Sequence, residues 1–169
     1  ALHKNQLGAW EYDIVEPAYK CNMTDIMASI GLAQLERYDE MLKRRHNIIR
    51  TYEEKLKGHN VLTLQHEDLE NNTSSSGHLF ITRVNGIEEQ TRNEIIKKMA
   101  QRDIATNVHY KPLPMLTAYK NLGFDIKNYP NSYNFYKGEI TLPLYTLLTD
   151  EQVEYVINNF VDILGEYNI

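Results

Sequence analysis

The chain has 169 residues, of which 42% are hydrophobic and 24% are charged, and its formal net charge is −5. This composition is typical of one globular domain that is long enough to bury a core. The acidic balance gives no reason to expect nucleic acid as a partner, and no apolar run is long enough to predict a membrane span. Cys21 is the only cysteine, which excludes an internal disulfide and favours a reducing cytoplasm as the compartment.

A long amphipathic helix is predicted after an irregular lead-in. It runs from about Asp25 to Lys57, with Thr24 as its N-cap and Gly58 at its end. Its apolar stripe consists of Leu35, Tyr38, Leu42, Ile49, Tyr52 and Leu56. Further apolar residues near its start face other directions, namely Ile26, Met27, Ile30 and Leu32. Because an apolar turn of this kind is usually buried, we expect this end to pack against a second copy or against a domain outside the chain.

Short strands and helices are predicted to alternate after the long helix. The predicted strands are Val61–Gln65, His78–Val84, Ile104–Tyr110 and Ile140–Leu142, and the polar run Glu67–Gly77 is predicted to be a mobile loop. The first predicted helix after the strands opens with a capping box of Thr91 and Glu94 and faces Ile95, Ile96 and Met99 inward. Two short helices are predicted at Met115–Leu122 and Asn131–Tyr136. A last helix opens with a capping box of Thr149 and Gln152. The last helix buries Val153, Val156, Ile157, Phe160 and Leu164. The pattern predicts an α+β fold, with a short and mostly antiparallel sheet covered by helices.

Nucleophilic and metal chemistry find little support in the sequence. The serines cluster at 74–76 without a glycine-framed elbow, and Cys21 beside Lys20 is better explained as a structural cysteine than as a reactive one. The six histidines are His3, His46, His59, His66, His78 and His109. None of them has the spacing of a zinc motif, so no metal site is predicted.

Two polar clusters remain as candidate binding sites. Lys20 and Asn22 lie just before a helix N-terminus, where a cation, an amide and free backbone N–H groups suit an anion, although a solvated turn is the simpler interpretation. His109, Tyr110 and Lys111 lie at a predicted strand end before a proline. For His109 alone, an ordinary surface or core histidine is the simpler interpretation.

Four blocks of sequence carry a resemblance to a known family. They read YKCNMTDIMASIGLAQLERYDEMLKRR (residues 19–45), HLFITRV (78–84), VHYKPL with the following AYKNLG (108–123), and TLPLYTLLTDEQVEYVI (141–157). In this order they resemble the C-terminal domain of the DegT/DnrJ/EryC1/StrS family, the pyridoxal-phosphate aminotransferases that act on nucleotide sugars. Many members carry histidine directly after VHYKPL, where this chain has Pro114.

The resemblance implies the C-terminal small domain of a fold-type I aminotransferase. Residues 1–23 would form a lead-in and a cofactor-phosphate turn, and residues 24–169 would form the domain. The cofactor-binding domain, with its Schiff-base lysine, would lie upstream and outside the chain, since Lys4 is too close to the turn. No catalytic residue is therefore expected among these residues, and the chain would be catalytically incomplete by itself.

The same resemblance implies the reaction and the roles of the two clusters. An amino group would pass from glutamate to a keto-sugar nucleotide, as in the synthesis of polysaccharide or lipopolysaccharide amino sugars. In a homodimer, Lys20 and Asn22 would reach the pyridoxal phosphate of the partner subunit. His109, Tyr110 and Lys111 would lie toward the sugar-nucleotide. The alternative hypothesis is a non-catalytic interaction or dimerisation domain with the same fold.

Overall fold

The computed structural model describes residues 2–3, 13–14, 22–68, 70 and 73–169. The chain forms two compact units, residues 1–38 and residues 39–169. The first unit contains an antiparallel pair of short strands, β1 (Leu2–His3) and β2 (Asp13–Ile14), and helix α1 (Asp25–Leu35). Thr24 caps α1 as predicted, because its hydroxyl accepts a hydrogen bond from the Met27 amide at 3.3 Å.

The prediction of one helix from Asp25 to Lys57 is wrong. A second helix, α2 (Tyr38–Leu56), begins after a two-residue turn. The regular hydrogen-bond pattern is lost at Arg37, whose amide bonds the carbonyl of Gln34, three residues back. Of the predicted stripe, Ile49, Tyr52 and Leu56 are buried, whereas Leu35 is 66% exposed and Tyr38 is 40% exposed. Gly58 follows α2 with a φ of +86°, a conformation that favours glycine.

The second unit is built on a three-stranded antiparallel sheet. Its strands are β3 (Val61–Thr63), β6 (Phe80–Val84) and β7 (Glu139–Leu142), with β6 in the centre. Alternate residues of β6 are fully buried, as the sequence predicts for a strand with one face on the core. The core on this face includes α2, helix α3 (Glu89–Gln101) and helix α6 (Asp150–Glu166). The predicted α+β architecture, a short antiparallel sheet covered by helices, is confirmed.

The last helix matches its prediction closely. Thr149 and Gln152 form the predicted capping box, with the Thr149 hydroxyl accepting from the Gln152 amide and the Gln152 carboxamide accepting from the Thr149 amide. The predicted inward residues are all buried: Val153, Val156, Ile157, Phe160 and Leu164. The capping box predicted at Thr91 is wrong, because α3 begins at Glu89 after Glu88, which places Thr91 inside the helix.

Two other segments differ from the predictions. The polar run contains a small hairpin of β4 (Glu67–Asp68) and β5 (Thr73–Ser74). The predicted helix at 115–122 is instead a 3₁₀ turn at Leu113–Met115 followed by α4 (Thr117–Asn121). Helix α5 (Pro130–Tyr136) agrees with the prediction at 131–136. None of the helices in the described part of the chain is long and apolar enough to cross a membrane.

Candidate functional site

The candidate site of the second unit is built on strand β7 and the loop beside it. The strand predicted at Ile104–Tyr110 is wrong, because only Asn107 pairs with β7. Its amide donates to the Thr141 carbonyl at 3.2 Å, and the Thr141 amide donates back at 2.8 Å. The next amide available for such pairing, that of His109, bonds a side chain instead. The loop is therefore held to β7 at a single backbone bridge and by side-chain bonds.

Glu139 is the centre of those side-chain bonds. Its carboxylate is fully buried, and one oxygen, Oε2, accepts the main-chain N–H of His109 at 2.8 Å. The other oxygen, Oε1, accepts the hydroxyl of Thr141 at 2.5 Å. The same hydroxyl oxygen lies 2.9 Å from Nδ1 of the His109 ring. Backbone and imidazole of His109 are thus both fixed by one carboxylate, directly in one case and through Thr141 in the other.

Burial dominates the electrostatics of this carboxylate. Desolvation raises the pKa of Glu139, while the bonds from Thr141 and from the His109 amide and the charge of Arg92 lower it. A buried carboxylate of this kind needs donors on both oxygens, because an unsatisfied buried charge is strongly unfavourable. The two donors supplied by the loop and by the strand meet that need.

Arg92, on helix α3, holds the start of β7 through hydrogen bonds to main-chain carbonyls. Its side chain is almost completely buried, and its Nη1 donates to the carbonyls of Tyr136 at 3.2 Å and of Glu139 at 3.3 Å. Nη2 lies 3.6 Å from the Glu89 carboxylate, and the guanidinium lies 4.6 Å from the centre of the Tyr136 ring. Arg92 therefore satisfies two carbonyls at the turn between α5 and β7 and holds the backbone that carries Glu139.

Tyr110 and Lys111 present their side chains at the surface next to His109. The Tyr110 ring meets the His109 ring edge-on at 4.7 Å and is 74% exposed, and Lys111 is also exposed. Immediately after them the chain lines an apolar cavity of about 330 Å³, whose lining residues are Leu113, Pro114, Tyr119, Phe124, Tyr129 and Ser132. The three residues predicted from the sequence thus precede a segment that lines an apolar cavity, and none of the three lines it.

The other predicted cluster is only partly described. Asn22 is exposed in the first unit, two residues before the cap of α1. Lys20 and Cys21 lie outside the described residues. At the start of α1 the amides of Asp25 and Ile26 have no carbonyl partner within the helix, so they and the Asn22 side-chain amide are candidate donors, whereas the Met27 amide is bonded to the Thr24 hydroxyl. Such donors fit a phosphate group, and Asp25 in the first turn is the neighbouring negative charge that a phosphate would meet there.

A third polar group, which the sequence analysis did not single out, ties the small hairpin to α2. His46 Nε2 lies 2.8 Å from the Ser75 carbonyl, and His46 Nδ1 lies 3.2 Å from the Glu67 carboxylate. His66 is buried against Phe80, and its Nδ1 lies 2.9 Å from the Ser75 hydroxyl. Burial and the neighbouring His46 lower the pKa of His66. Within the described residues, no group of histidine, cysteine and carboxylate side chains is arranged to hold a metal ion.

Sequence reasoning found His109 but missed the residues that hold it. Glu139 and Thr141 alternate with Ile140 and Leu142 in the segment EITL. This period of two places the polar pair on one face of the strand and the apolar pair on the core face. The alternation was the available signal, since a polar pair inside a strand that is otherwise buried needs partners. Arg92 had no comparable signal, because an arginine on an amphipathic helix is ordinarily solvated.

The comparisons with known proteins agree with the architecture. "Spore coat polysaccharide biosynthesis protein SpsC" of Bacillus subtilis is 34% identical over 163 residues, which cover 93% of this chain and 41% of that protein. The "UDP-4-amino-4,6-dideoxy-N-acetyl-beta-L-altrosamine transaminase" of Campylobacter jejuni (strain 81-176) is 27% identical over 92% of this chain and 40% of its own length. The chain therefore spans about two fifths of the length of these relatives.

Solved structures give the same result. "Putative sugar aminotransferase Spr1654" from Streptococcus pneumoniae, in its PLP-form, is 54% identical with a TM-score of 0.83, and the match covers 95% of this chain and 40% of that one. The sequence model of the DegT/DnrJ/EryC1/StrS aminotransferase family matches residues 3–161. With nearly the whole chain matched in sequence and the fold shared with an enzyme at this identity, the chain belongs to the DegT/DnrJ/EryC1/StrS aminotransferase family.

Proposed function

We propose that this chain is the C-terminal part of a pyridoxal-phosphate-dependent aminotransferase that converts a keto-sugar nucleotide into an amino-sugar nucleotide, with glutamate as the amino donor. The observation that carries the proposal is the 54% identity to the PLP-form Spr1654 structure over 95% of the chain. The name of the SpsC relative supports a role in polysaccharide synthesis, and the name of the Campylobacter relative supports amino transfer on a UDP-linked sugar.

In this proposal the first unit contributes to the cofactor site. Pyridoxal phosphate, when bound, supplies the electron sink for amino transfer. The turn within residues 1–23 would bind its phosphate in the partner subunit through Asn22, Lys20 and the first amides of α1. Support comes from the exposure of Asn22 and its position two residues before the Thr24 cap. Charge-assisted bonds of this type are typically worth about 1.5–3 kcal/mol each. The lysine that holds the cofactor would lie outside this chain.

The domain at residues 24–169 would contribute to the sugar-nucleotide site. His109 is held at the edge of β7, the Tyr110 ring is exposed beside it, and the Lys111 ammonium can neutralise a diphosphate. An imidazole that bonds hydroxyls, an aromatic face and a cation together suit a nucleotide-linked sugar. This combination supports the substrate class without distinguishing one sugar from another.

A homodimer in the cytoplasm is the assembly that we propose. Four apolar residues of α1 are exposed within the chain: Ile26 at 74%, Met27 at 61%, Ile30 at 59% and Leu32 at 65%. A second subunit that covered them would also bring the Asn22 turn to the partner's site. The same exposed helix favours the alternative function, a non-catalytic dimerisation domain. Cofactor binding decides between the two.

The test uses the full-length protein that carries this chain. We expect the purified protein to bind pyridoxal phosphate, to convert it to pyridoxamine phosphate on addition of glutamate, and to aminate one member of a panel of UDP- and dTDP-linked keto sugars. Absorbance follows the first half-reaction, and mass spectrometry of the products follows the second. A dimer that neither binds the cofactor nor reacts with glutamate would support the dimerisation domain instead.

The phosphate role of the turn has its own test. Asn22→Ala and Lys20→Ala should each weaken pyridoxal-phosphate binding roughly ten- to a hundredfold. Asn158→Ala is the matched control, because Asn158 is an exposed asparagine on α6 whose amide bonds only Glu154 among the described contacts. If both variants bind the cofactor as tightly as the control, the turn is only a helix cap. A mixed dimer of Asn22→Ala subunits with subunits that lack the cofactor lysine reports whether the contact crosses the subunit boundary.

A further inference from the structure

We propose that Glu139 and Thr141 are positioning residues that hold His109 as the Nδ1–H tautomer, so that its Nε2 accepts a hydrogen bond from a hydroxyl of the bound sugar. The proposal rests on the proposed function for its substrate but not for its geometry. It starts from the three contacts that connect the Glu139 carboxylate, the Thr141 hydroxyl and the His109 ring.

The direction of each hydrogen bond follows from what each group can do. The His109 main-chain N–H can only donate, so Oε2 of Glu139 is an acceptor. While Glu139 is ionised, its other oxygen accepts as well, and the Thr141 hydroxyl donates its one proton to Oε1. Because its only proton is donated to Oε1, the Thr141 hydroxyl oxygen can only accept a hydrogen bond from the His109 ring. His109 Nδ1 must therefore carry a hydrogen, and in the neutral ring Nε2 then carries the lone pair.

Two features of the fold make this chain of bonds rigid. Glu139 is fully buried and Thr141 is only 5% exposed, so water does not compete for either group. Arg92 fixes the main chain of Glu139, and the Asn107 bridge fixes the main chain of Thr141. The two side chains and the ring are therefore held from three separate elements, α3, β7 and the loop.

The tautomer determines which ligand group the ring can bind. A lone pair on Nε2 accepts from a hydroxyl and does not donate to a phosphate oxygen, whereas the Nε2–H form would do the reverse. With Lys111 beside it as the cation for the diphosphate, a His109 that accepts would face the sugar hydroxyls. In this arrangement His109 contacts the sugar of the substrate and the neighbouring Lys111 contacts its diphosphate.

The Glu139→Gln substitution should reverse the direction of the hydrogen bonds that run through Thr141 to His109. In Glu139→Gln the carbonyl oxygen can still accept the His109 amide, and the new –NH₂ would donate to the Thr141 oxygen. The Thr141 hydroxyl would then donate to Nδ1, which leaves the hydrogen on Nε2. Glu89→Gln is the matched control, because it removes the same charge near Arg92 while Glu89 contacts Tyr136 and not His109.

The experiment reads the tautomer directly, by ¹⁵N NMR of imidazole-labelled histidine in the full-length protein, with His109 assigned from a His109→Gln variant. We expect the Nδ1–H form in the wild type, in Glu89→Gln and in Thr141→Ser, and the Nε2–H form in Glu139→Gln. Thr141→Val, which lacks the hydroxyl, should lose the wild-type preference. An Nε2–H ring in the wild type, or an unchanged ring in Glu139→Gln, would overturn the inference.

A kinetic measurement then separates this inference from the proposed function. In an active enzyme, Glu139→Gln should raise KM for the sugar nucleotide about tenfold, as for the loss of one hydrogen bond, and leave the glutamate half-reaction unchanged. Equal losses in both half-reactions would contradict a specific role at the sugar. If no aminotransfer is found at all, the proposed function fails while the tautomer result still decides the geometry.

Discussion

The buried guanidinium of Arg92 gives the sharpest test of the packing around β7. In Arg92→Met the apolar stem is largely retained, but the carbonyls of Tyr136 and Glu139 lose their donor in a place that water does not reach. Hydrogen bonds from a charged group contribute about 1.5–3 kcal/mol each. Because these two are long, at 3.2 and 3.3 Å, the lower value applies to each, and the free energy of unfolding should fall by about 3 kcal/mol.

Arg102→Met is the matched control for that change. It removes the same charge and the same guanidinium, but Arg102 bonds Asp162 and Glu166 at the surface, with its side chain 29% exposed. Surface ion pairs of this kind are worth about 0–1 kcal/mol each, so the loss of the two should lower the free energy of unfolding of the control by about 0–2 kcal/mol, less than the change at Arg92.

Urea unfolding, followed by circular dichroism, measures both variants. For a domain of this size a slope of about 1–3 kcal/mol per molar urea converts 3 kcal/mol into a midpoint that is roughly 1–3 M lower. If Arg92→Met unfolds at the same urea concentration as Arg102→Met, the two carbonyl bonds contribute nothing to stability and the account of Arg92 as an anchor is refuted.

Two further substitutions test the packing of the same unit by urea unfolding. Gly138→Ala should lower the free energy of unfolding, because a Cβ there would lie 2.3 Å from the Val84 carbonyl oxygen. Gly165→Ala, in the open face of α6, should raise it by about 0.5–1 kcal/mol. Equal effects of the two substitutions would contradict the close approach at Gly138. Tyr52→Phe should lower the free energy of unfolding by about 1–2 kcal/mol, because the hydroxyl of the buried Tyr52 donates to the Pro143 carbonyl at 2.9 Å. Tyr155→Phe, at the surface, should change the free energy of unfolding little. A Tyr52→Phe variant as stable as the wild type would show that the bond to Pro143 does not contribute to stability.

The helices and strands whose signals lie within a few consecutive residues were predicted from the sequence. The capping box at Thr149 and the apolar spacing behind it predicted α6, and the β-branched and aromatic residues of 78–84 predicted the strand that contains β6, because both signals are completed within a few residues. The strand predicted at Ile104–Tyr110 failed for the opposite reason. Its residues have strand propensity, but the amide of His109 finds a carboxylate 30 residues away instead of a neighbouring strand.

The candidate site divides in the same way. His109, Tyr110 and Lys111 were predicted because they share one short segment with family-like neighbours, and the rings of His109 and Tyr110 meet edge-on at 4.7 Å. Glu139, Thr141 and Arg92 reach His109 or the strand behind it from other parts of the chain, and no spacing in the sequence relates them to it. Contacts between residues this far apart in the sequence are determined by the tertiary structure, so they cannot be predicted from a single sequence without the fold.

The apolar side chains of α1 have a consequence for the colloidal behaviour of the protein. They are spread around the helix, with Ile26, Met27 and Ile30 each more than half exposed. Exposed apolar surface of this kind adheres to other apolar surfaces, so folded copies that have not yet paired would aggregate. Replacing two of these residues by glutamate would then raise the yield of dispersed protein and weaken the proposed dimer in the same step. Solubility and assembly in this protein would be set by one helix and would trade against each other.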